Sequence, residues 1–306
     1  MIEKLELLLH LARERHFGKA AVAAGVSQPT LSSAVKSLED QLGVAIVQRG
    51  SRFQGFTPEG ERVLTWARQL TADVRTMRQE LTATQRELAG ELRIGVIPTV
   101  LPAVTELTVP FRAAYADVRF RVMSLTSNQI LQKLADLEID VGISYLDSEP
   151  LGRFRGVALY EERYALLLPP EGLFDNKSAV SWKEAGRLPL CQLSGDMQNR
   201  RLIDRHLREA GAEPQCTVES NSMLLLYAHV RTGGWASIMP VRFTEEFKEP
   251  GRLRAIPLVE PDVRHVVGLI LPDRDTLTPM VAKLVRVAQK AFPFKEPASR
   301  GRSGVR

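Results

Sequence analysis

The residues best suited to chemistry in this chain lie between Gln28 and Arg52, and they are short polar and basic side chains rather than nucleophiles or metal ligands. The amide of Gln28 can pair bidentately with an adenine edge, and the ring of Pro29 suits a thymine methyl. Thr30, Ser32 and Ser33 offer hydroxyls that bond to base edges or to phosphate oxygens. Lys36, Arg49, Ser51 and Arg52 would hold phosphates or enter a minor groove. The chemistry of this set is recognition of duplex DNA. It requires one element that presents the first six side chains on a single face and a second that carries the arginines.

Sets for other chemistry are not found. The histidines (His10, His16, His206, His229 and His265) have no metal-ligand spacing. No GxSxG, HExxH or phosphate-loop pattern occurs, so neither a catalytic nor a metal site is expected, and no enzyme. Cys191 and Cys216 fall in predicted core strands, where inert buried thiols are expected rather than a peroxide sensor.

The elements that would position the polar set can be read around it. Lys19 to Ala24 favours helix, Gly25 can take the left-handed conformation that ends one, and Val26 plugs the turn. Ser27 is a good N-cap and Pro29 lies within the next first turn. Leu31, Val35, Leu38 and Leu42, at spacings of 4, 3 and 4, then form an apolar face. Acidic residues enter only near the end of that helix, at Glu39 and Asp40. An ordinary surface helix pair is the bland alternative. A first helix from Glu3 to Arg15 covers the pair with Leu5, Leu8, Leu9 and Ala12. Val44 to Val47 reads as a strand leading into a wing, and Phe53 to Phe56 leads out of it. Thr57 and Pro58 then open a long helix as N-cap and first helical residue.

In that helix Val63, Ala67, Leu70, Val74, Met77, Leu81, Thr84 and Leu88 recur at alternating steps of 4 and 3, and Gly90 ends it. This is a coiled-coil seam, for which a homodimer is favoured over packing on the same chain. From Glu91 strands alternate with helices, indicating a mostly parallel sheet. Two long strands, Leu159 to Pro169 and Arg264 to Pro272, interrupt the alternation and suggest two subdomains joined by two connections, with a cleft between.

The expected fold class is thus α/β. Residues 1–57 form a winged helix-turn-helix and 58–90 a linker and dimerisation helix. Residues 91–294 form a two-subdomain α/β domain, with subdomain I about 91–163 and 268–294 and subdomain II about 164–267. Residues 295–306 form an Arg-Gly-Ser-rich, disordered tail. At 306 residues with 44% hydrophobic and 25% charged composition, the chain is long enough for two or three soluble domains. The early apolar run LELLLHLA is too short and too flanked by charge to be a signal peptide or a membrane span. Two cysteines fit a reducing cytoplasm. A net charge of +5 permits nucleic acid without indicating it, since residues 1–62 hold 8 Lys/Arg against 7 Asp/Glu. The DNA reading rests on where the charges lie.

The runs LLLHLARERHFGKAA, GVSQPTLSSAVKSLEDQLGV and QRGSRFQGFTPEGERVL, followed by LRIGVIPT, DVGIS and VRTGGWASIMP, resemble LysR-type transcriptional regulators over nearly the whole chain. The resemblance implies a dimeric coiled coil, a two-lobed domain similar to periplasmic binding proteins and a homotetramer built as a dimer of dimers. Promoter DNA, bent differently with and without a small effector, and RNA polymerase are the implied partners. The stretch RGSRFQGFTPEGERVL is most similar to regulators encoded beside formate dehydrogenase genes, which implies a small carboxylate effector such as formate and no other cofactor. Three features depart from the family: Ser33 where Arg or Gln is frequent, Val47-Gln48-Arg49 without the common Phe, and Gly55-Phe56 for an aliphatic pair.

An effector cleft would be lined by strand ends and helix N-termini, where free N–H groups favour anions. The matching positions are Thr99, Val100, Thr126, Ser127 and Asn128 in one lobe. In the other they are Gly195, Met197, Asn199, Asn221, Ser222 and Met223. Each Ser or Thr is equally a candidate N-cap, and Thr99 is the strongest ligand candidate. The competing function classes are an effector-independent DNA-architectural protein and a small-molecule-binding protein or enzyme with no regulatory role.

Overall fold

The chain divides into two units, Met1–Glu87 and Leu88–Arg306. The structure, a computed structural model, describes residues 1–48, 50, 53–85, 88–172, 174–213, 215–248, 251–273 and 277–294, with the backbone alone at 79, 80 and 82–85. The expected tail, 295–306, and the expected contacts Arg49, Ser51 and Arg52 lie outside the described residues.

The first unit packs α1 (Ile2–Glu14), α2 (Phe17–Ala23) and α3 (Gln28–Leu42) against the start of α4 (Pro58–Gln85). Leu5, Leu8, Leu11, Ala20, Leu31, Val35, Leu38, Ile46, Leu64 and Ala67 form its core. The helical period places this face with two corrections. Leu11 is fully covered where Leu9 and Ala12 are half-covered, and Leu42 is 44% exposed while Ala34 takes the inward position. Leu42 lies at the end of α3, where Gly43 (φ 68) turns the chain away. His16 caps α2, its Nδ1 accepting from the amides of Gly18 and Lys19 at 3.1 and 3.3 Å.

The expected strand from Val44 to Val47 reduces to one bridge, Val47 with Phe56. The segment is held by other means. The Glu39 carboxylate accepts from the amides of Ile46 and Val47 at 2.7 and 3.0 Å, and Thr57 Oγ1 donates to the Ala45 carbonyl at 2.6 Å.

Not all of the positions expected for a coiled-coil seam are left uncovered on α4. Ala67 and Leu64 are fully covered within the first unit's own core and Val63 packs against it. Leu88, which is buried, is not helical and opens the second unit. The Thr84 side chain lies outside those described. On α4 the large apolar side chains left exposed are Leu70, Met77 and Leu81, together with Trp66 at 67%, which the heptad reading omits.

The second unit has two lobes. Lobe I holds β1 (Gly90–Val96), α5 (Thr105–Ala114), β2 (Val118–Ser124), α6 (Ser127–Ala135), β3 (Val141–Tyr145) and β4 (Phe154–Glu162). Lobe II holds β5 (Tyr164–Leu168), β6 (Val180–Ser181), α7 (Trp182–Ala185), β7 (Pro189–Leu193), α8 (Gln198–Glu209), β8 (Gln215–Ser220), α9 (Met223–Val230), β9 (Ser237–Pro240), α10 (Val241–Glu246) and β10 (Arg254–Val259). The chain then returns to lobe I with β11 (His265–Pro272) and α11 (Pro279–Ala291).

Lobe I is one sheet in the order β2-β1-β3-β11-β4. Lobe II has a sheet β6-β10-β5-β9 and a pair β7-β8, joined by a single bridge between Leu190 and Ala236. The expectation of a mostly parallel sheet is corrected. Strand β1 runs parallel to β2 and β3, but β11 is antiparallel to β3 and β4, and β5 is antiparallel to β9 and β10. The cause is the double crossing: the chain leaves lobe I along β4 and re-enters along β11, so the two paired strands run in opposite senses. The run Leu159 to Pro169 is two strands that meet at Arg163, one in each lobe, whereas Arg264 to Pro272 belongs to lobe I alone. Trp182, in an element that periodicity does not reveal, is fully buried at the centre of lobe II with Leu166, Ile203 and Leu258.

Candidate nucleic-acid interface and inter-lobe cleft

In the first unit α3 divides cleanly by face. Leu31, Ala34, Val35 and Leu38 are buried, and Gln28, Pro29, Thr30, Ser32, Ser33 and Lys36 are exposed. Ser27 Oγ accepts from the Thr30 amide at 3.3 Å and meets Thr30 Oγ1 at 2.8 Å, so the Thr30 hydroxyl is partly engaged in the cap. Gln28, Ser32, Ser33 and Lys36 project outward, and no acidic residue occupies the first turn. This is a helix seated by its leucines with its N-terminal turn open, which fits entry into a major groove.

In the second unit the parallel pairing of β1 and β2 brings two turns to the same sheet edge. One turn, Pro98–Val100, follows β1 and the other opens α6 after β2. Thr99 is 3% exposed, and its Oγ1 finds no hydrogen-bond partner among the described residues. Val100 is buried beside it. Thr126 is used as a cap: its Oγ1 accepts from the Gln129 amide at 3.2 Å while the Gln129 side chain accepts from the Thr126 amide at 3.0 Å. Ser127 is buried and donates to Glu149 at 3.2 Å, and Asn128 is exposed.

From lobe II the start of α8 reaches across. Gln198 accepts from Ser144 Oγ at 2.8 Å and donates to Ser148 Oγ at 2.6 Å, and Asn199 Nδ2 donates to Tyr145 Oη at 2.9 Å. Arg201 donates to Glu149 Oε1 at 2.6 Å and to Ser127 Oγ at 3.2 Å. The other positions expected from this lobe do not join that set. Met197 and Met223 are core residues of lobe II, Ser222 caps α9 through the Leu225 amide at 3.4 Å, and Gly195 and Asn221 are exposed. Sequence reasoning misses Gln198, Arg201, Ser144 and Glu149. Their one signal is the polar run QNRR at a helix start, which reads equally well as a solvated turn.

Beneath these contacts lies a buried carboxyl. Glu162, 1% exposed at the end of β4, receives the Tyr145 hydroxyl and, at 3.4 Å, the Tyr160 hydroxyl. Burial pushes its pKa up to about 8, against the opposing pull of these hydrogen bonds. Burial and the neighbouring Glu162 raise the Tyr145 phenol. The two cysteines lie on the adjacent strands β7 and β8, and Cys216 is only half-buried, against the expectation of a buried core thiol, with its Sγ accepting from Arg200 at 3.7 Å. Cys191 is buried and its thiol is pushed up to about 11 by burial, the reverse of what a reactive thiolate needs.

Residues 2–61 match the family of bacterial regulatory helix-turn-helix proteins, lysR family, and residues 85–293 match the LysR substrate binding domain. A "Probable nitrogen assimilation transcriptional activator" of Synechococcus elongatus is 29% identical over 298 residues, 95% of each chain. A "Hydrogen peroxide-inducible genes activator" of Haemophilus influenzae is 30% identical over 286 residues, 88% of this chain and 89% of that one. Among solved structures, a full-length OxyR variant from Pseudomonas aeruginosa superposes with a TM-score of 0.73 at 25% identity, covering 95% of this chain and 97% of the other.

Proposed function

We propose, since this chain belongs to the LysR family of DNA-binding transcriptional regulators, that α3 reads a promoter site and that a small carboxylate held between the lobes modulates the binding. It is a regulator and not an enzyme. The observation that carries the DNA assignment is the division of α3 into a buried leucine face and an exposed face of Gln28, Pro29, Thr30, Ser32, Ser33 and Lys36. Gln28 is given a base contact and Lys36 a phosphate contact. Arg49, Ser51 and Arg52 are assigned to the wing on sequence grounds alone.

These roles separate in a gel-shift series. Lys36→Ala should weaken binding evenly across sequences and reduce the salt slope by about one, whereas Gln28→Ala should lose about 1–3 kcal/mol at one or two base positions only. Parent-like behaviour of both variants would refute the assignment.

The exposed Trp66, Leu70, Met77 and Leu81 support a partner helix on α4 and hence a homodimer. A dimer of dimers, with RNA polymerase as a further partner, follows from the family resemblance. Among the described residues no helix is long and apolar enough to cross a membrane, and a cytoplasmic site of action is part of the proposal.

For the effector, support comes from the orphaned Thr99 Oγ1 and from the carboxylate of Glu149, which already rests on Ser127 and Arg201. A ligand carboxylate would compete for those donors. Formate is the smallest such ligand and the one the sequence resemblance suggests. Titration with formate and related acids, followed by DNA bending or intrinsic fluorescence, should give a response in the parent that weakens about tenfold in Thr99→Val, the loss of one hydrogen bond to a charged group. An unchanged response in Thr99→Val would remove this residue from the site. The peroxide response named in one relative does not transfer readily, because burial disfavours a thiolate at Cys191.

A further inference from the structure

Two buried histidines meet where the lobes touch. His265 is the first residue of β11 in lobe I, His206 lies on α8 in lobe II, and their Nε2 atoms are 3.0 Å apart. The side chains are 8% and 9% exposed respectively. Each Nδ1 faces a carboxylate: His265 meets Asp147 Oδ1 at 3.3 Å and His206 meets Glu209 Oε2 at 3.1 Å.

Ionised carboxylates only accept, so both Nδ1 atoms must carry hydrogen, and one Nε2 must carry hydrogen to bond to the other. That is one proton more than two neutral imidazoles hold. The contacts together describe a pair sharing a single extra proton, with a carboxylate at either end. Two imidazole nitrogens this close would also suit a metal ion, but no third ligand joins them in a metal-binding group among the described residues.

We propose that His206 and His265 form a proton-binding latch between the lobes, one that holds with no extra proton or one bound and releases when a second binds. With none, His206 keeps its Nε2–H toward His265 and gives up Glu209, whose side chain is 58% exposed and free to turn to water. Asp147 stays in place, because it also accepts from the Val266 amide at 3.0 Å. With two, both Nε2 atoms carry hydrogen and face one another without an acceptor, two cations in a covered site.

The surroundings oppose that second charge. The Trp182 ring lies 5.3 Å from His206, and the Tyr145 and Tyr164 rings lie edge-on to His265 at 5.9 and 6.1 Å, with the Tyr145 hydroxyl held by Glu162. Burial, then the charge of His265, then Arg205 hold His206 below its ordinary pKa, against the pull of Glu209. Release therefore belongs to the acid side. The acidic partner Asp147 is held below the usual carboxylate range: burial would raise it, but the bonds from His265 and Val266 outweigh burial.

The test uses the full chain in a Trp66→Phe, Trp235→Phe background, which leaves Trp182 as the one indole of the three. Emission is followed from pH 8 to pH 5 with EDTA present. Hydrogen exchange of residues 144–148 and 198–206 is followed in parallel and corrected for intrinsic rates. The expected result is quenching of Trp182 in a step below about pH 6.5, with a severalfold rise in exchange across the same step. Both should vanish in His206→Gln, whose amide donates to His265 without titrating, or in His265→Asn should the first variant fail to fold. The latch is overturned if the parent shows no step, if the step survives in the variant, or if exchange does not follow emission. It is equally overturned if EDTA at neutral pH reproduces the change, since a metal would then be the ligand.

Discussion

Gly60→Ala is expected to destabilise the N-terminal unit by about 3 kcal/mol or more, although the substitution adds a better helix former. A Cβ at Gly60 would stand 2.1 Å from the carbonyl oxygen of Ile46, a backbone atom and not the end of a flexible side chain. The backbone there has little freedom to withdraw. Ile46 is fully buried, its amide is bonded to Glu39 at 2.7 Å, and its carbonyl accepts from the Thr57 amide at 3.0 Å. Thr57 closes the arrangement by accepting from the Gly60 amide at 2.9 Å while its hydroxyl donates to Ala45. The helix-propensity gain of about 1 kcal/mol favours alanine, and the steric term opposes it with a larger magnitude. Urea unfolding of the full chain, followed by a probe in the N-terminal unit, should show a lower midpoint with an unchanged slope, together with weaker promoter binding. A midpoint at or above that of the parent would mean that α4 and the wing base are not pressed together in this way.

That glycine also marks where the sequence stops being readable. Thr57 and Pro58 announce a helix start through local capping chemistry, which needs only neighbours in the chain. The demand for glycine at position 60 comes from Ile46, an element away, and no local pattern contains it. The same division holds elsewhere. Helix α3 was legible because its buried face repeats with the helical period, whereas the exposure of Leu42 is set by its place in the last turn, where Gly43 (φ 68) turns the chain away and Ala34 completes the covered face instead. The heptad on α4 was legible as a pattern but not in its extent. Ala67 satisfies the period and is nonetheless used by the core of its own unit, while Trp66 falls off the strict seam and remains exposed.

The cleft shows a further limit. Strand ends and helix starts predict which edge of the sheet a ligand would use, and Thr99, Thr126 and Ser127 do lie at that edge. Whether a hydroxyl there is free is decided by single hydrogen bonds. Thr126 is occupied by its own cap and Ser127 by Glu149, while the Thr99 hydroxyl has no partner among the described residues. Strand direction was not readable either, because hydrophobic runs look alike in parallel and antiparallel sheets, and only the path of the chain through both lobes reverses β11.

Glu162→Gln should stabilise the C-terminal unit at alkaline pH and remove a pH dependence that the parent carries. The carboxyl is buried and its pKa is raised from 4.5 to about 8 by desolvation. Below 4.5 both folded and unfolded chains hold the proton, and between 4.5 and about 8 only the folded chain does. The unfolded state thus binds fewer protons in that window, and stability falls as pH rises through it, by about 1.4 kcal/mol per unit at most. Above the folded pKa the loss is complete and the curve flattens. The stability present in acid is therefore lost by about pH 8 and amounts to several kcal/mol. Glutamine keeps the carbonyl that accepts from Tyr145 and cannot ionise. The difference between variant and parent in thermal unfolding should accordingly be flat below pH 4.5, grow in favour of the variant towards pH 8, and level off beyond it. Taking the difference cancels the histidines and surface carboxylates common to both chains. Parallel curves from pH 5 to pH 9 would show that Glu162 is ionised in the folded protein at neutral pH, and that Tyr145, Tyr160 and Arg242 together outweigh its burial.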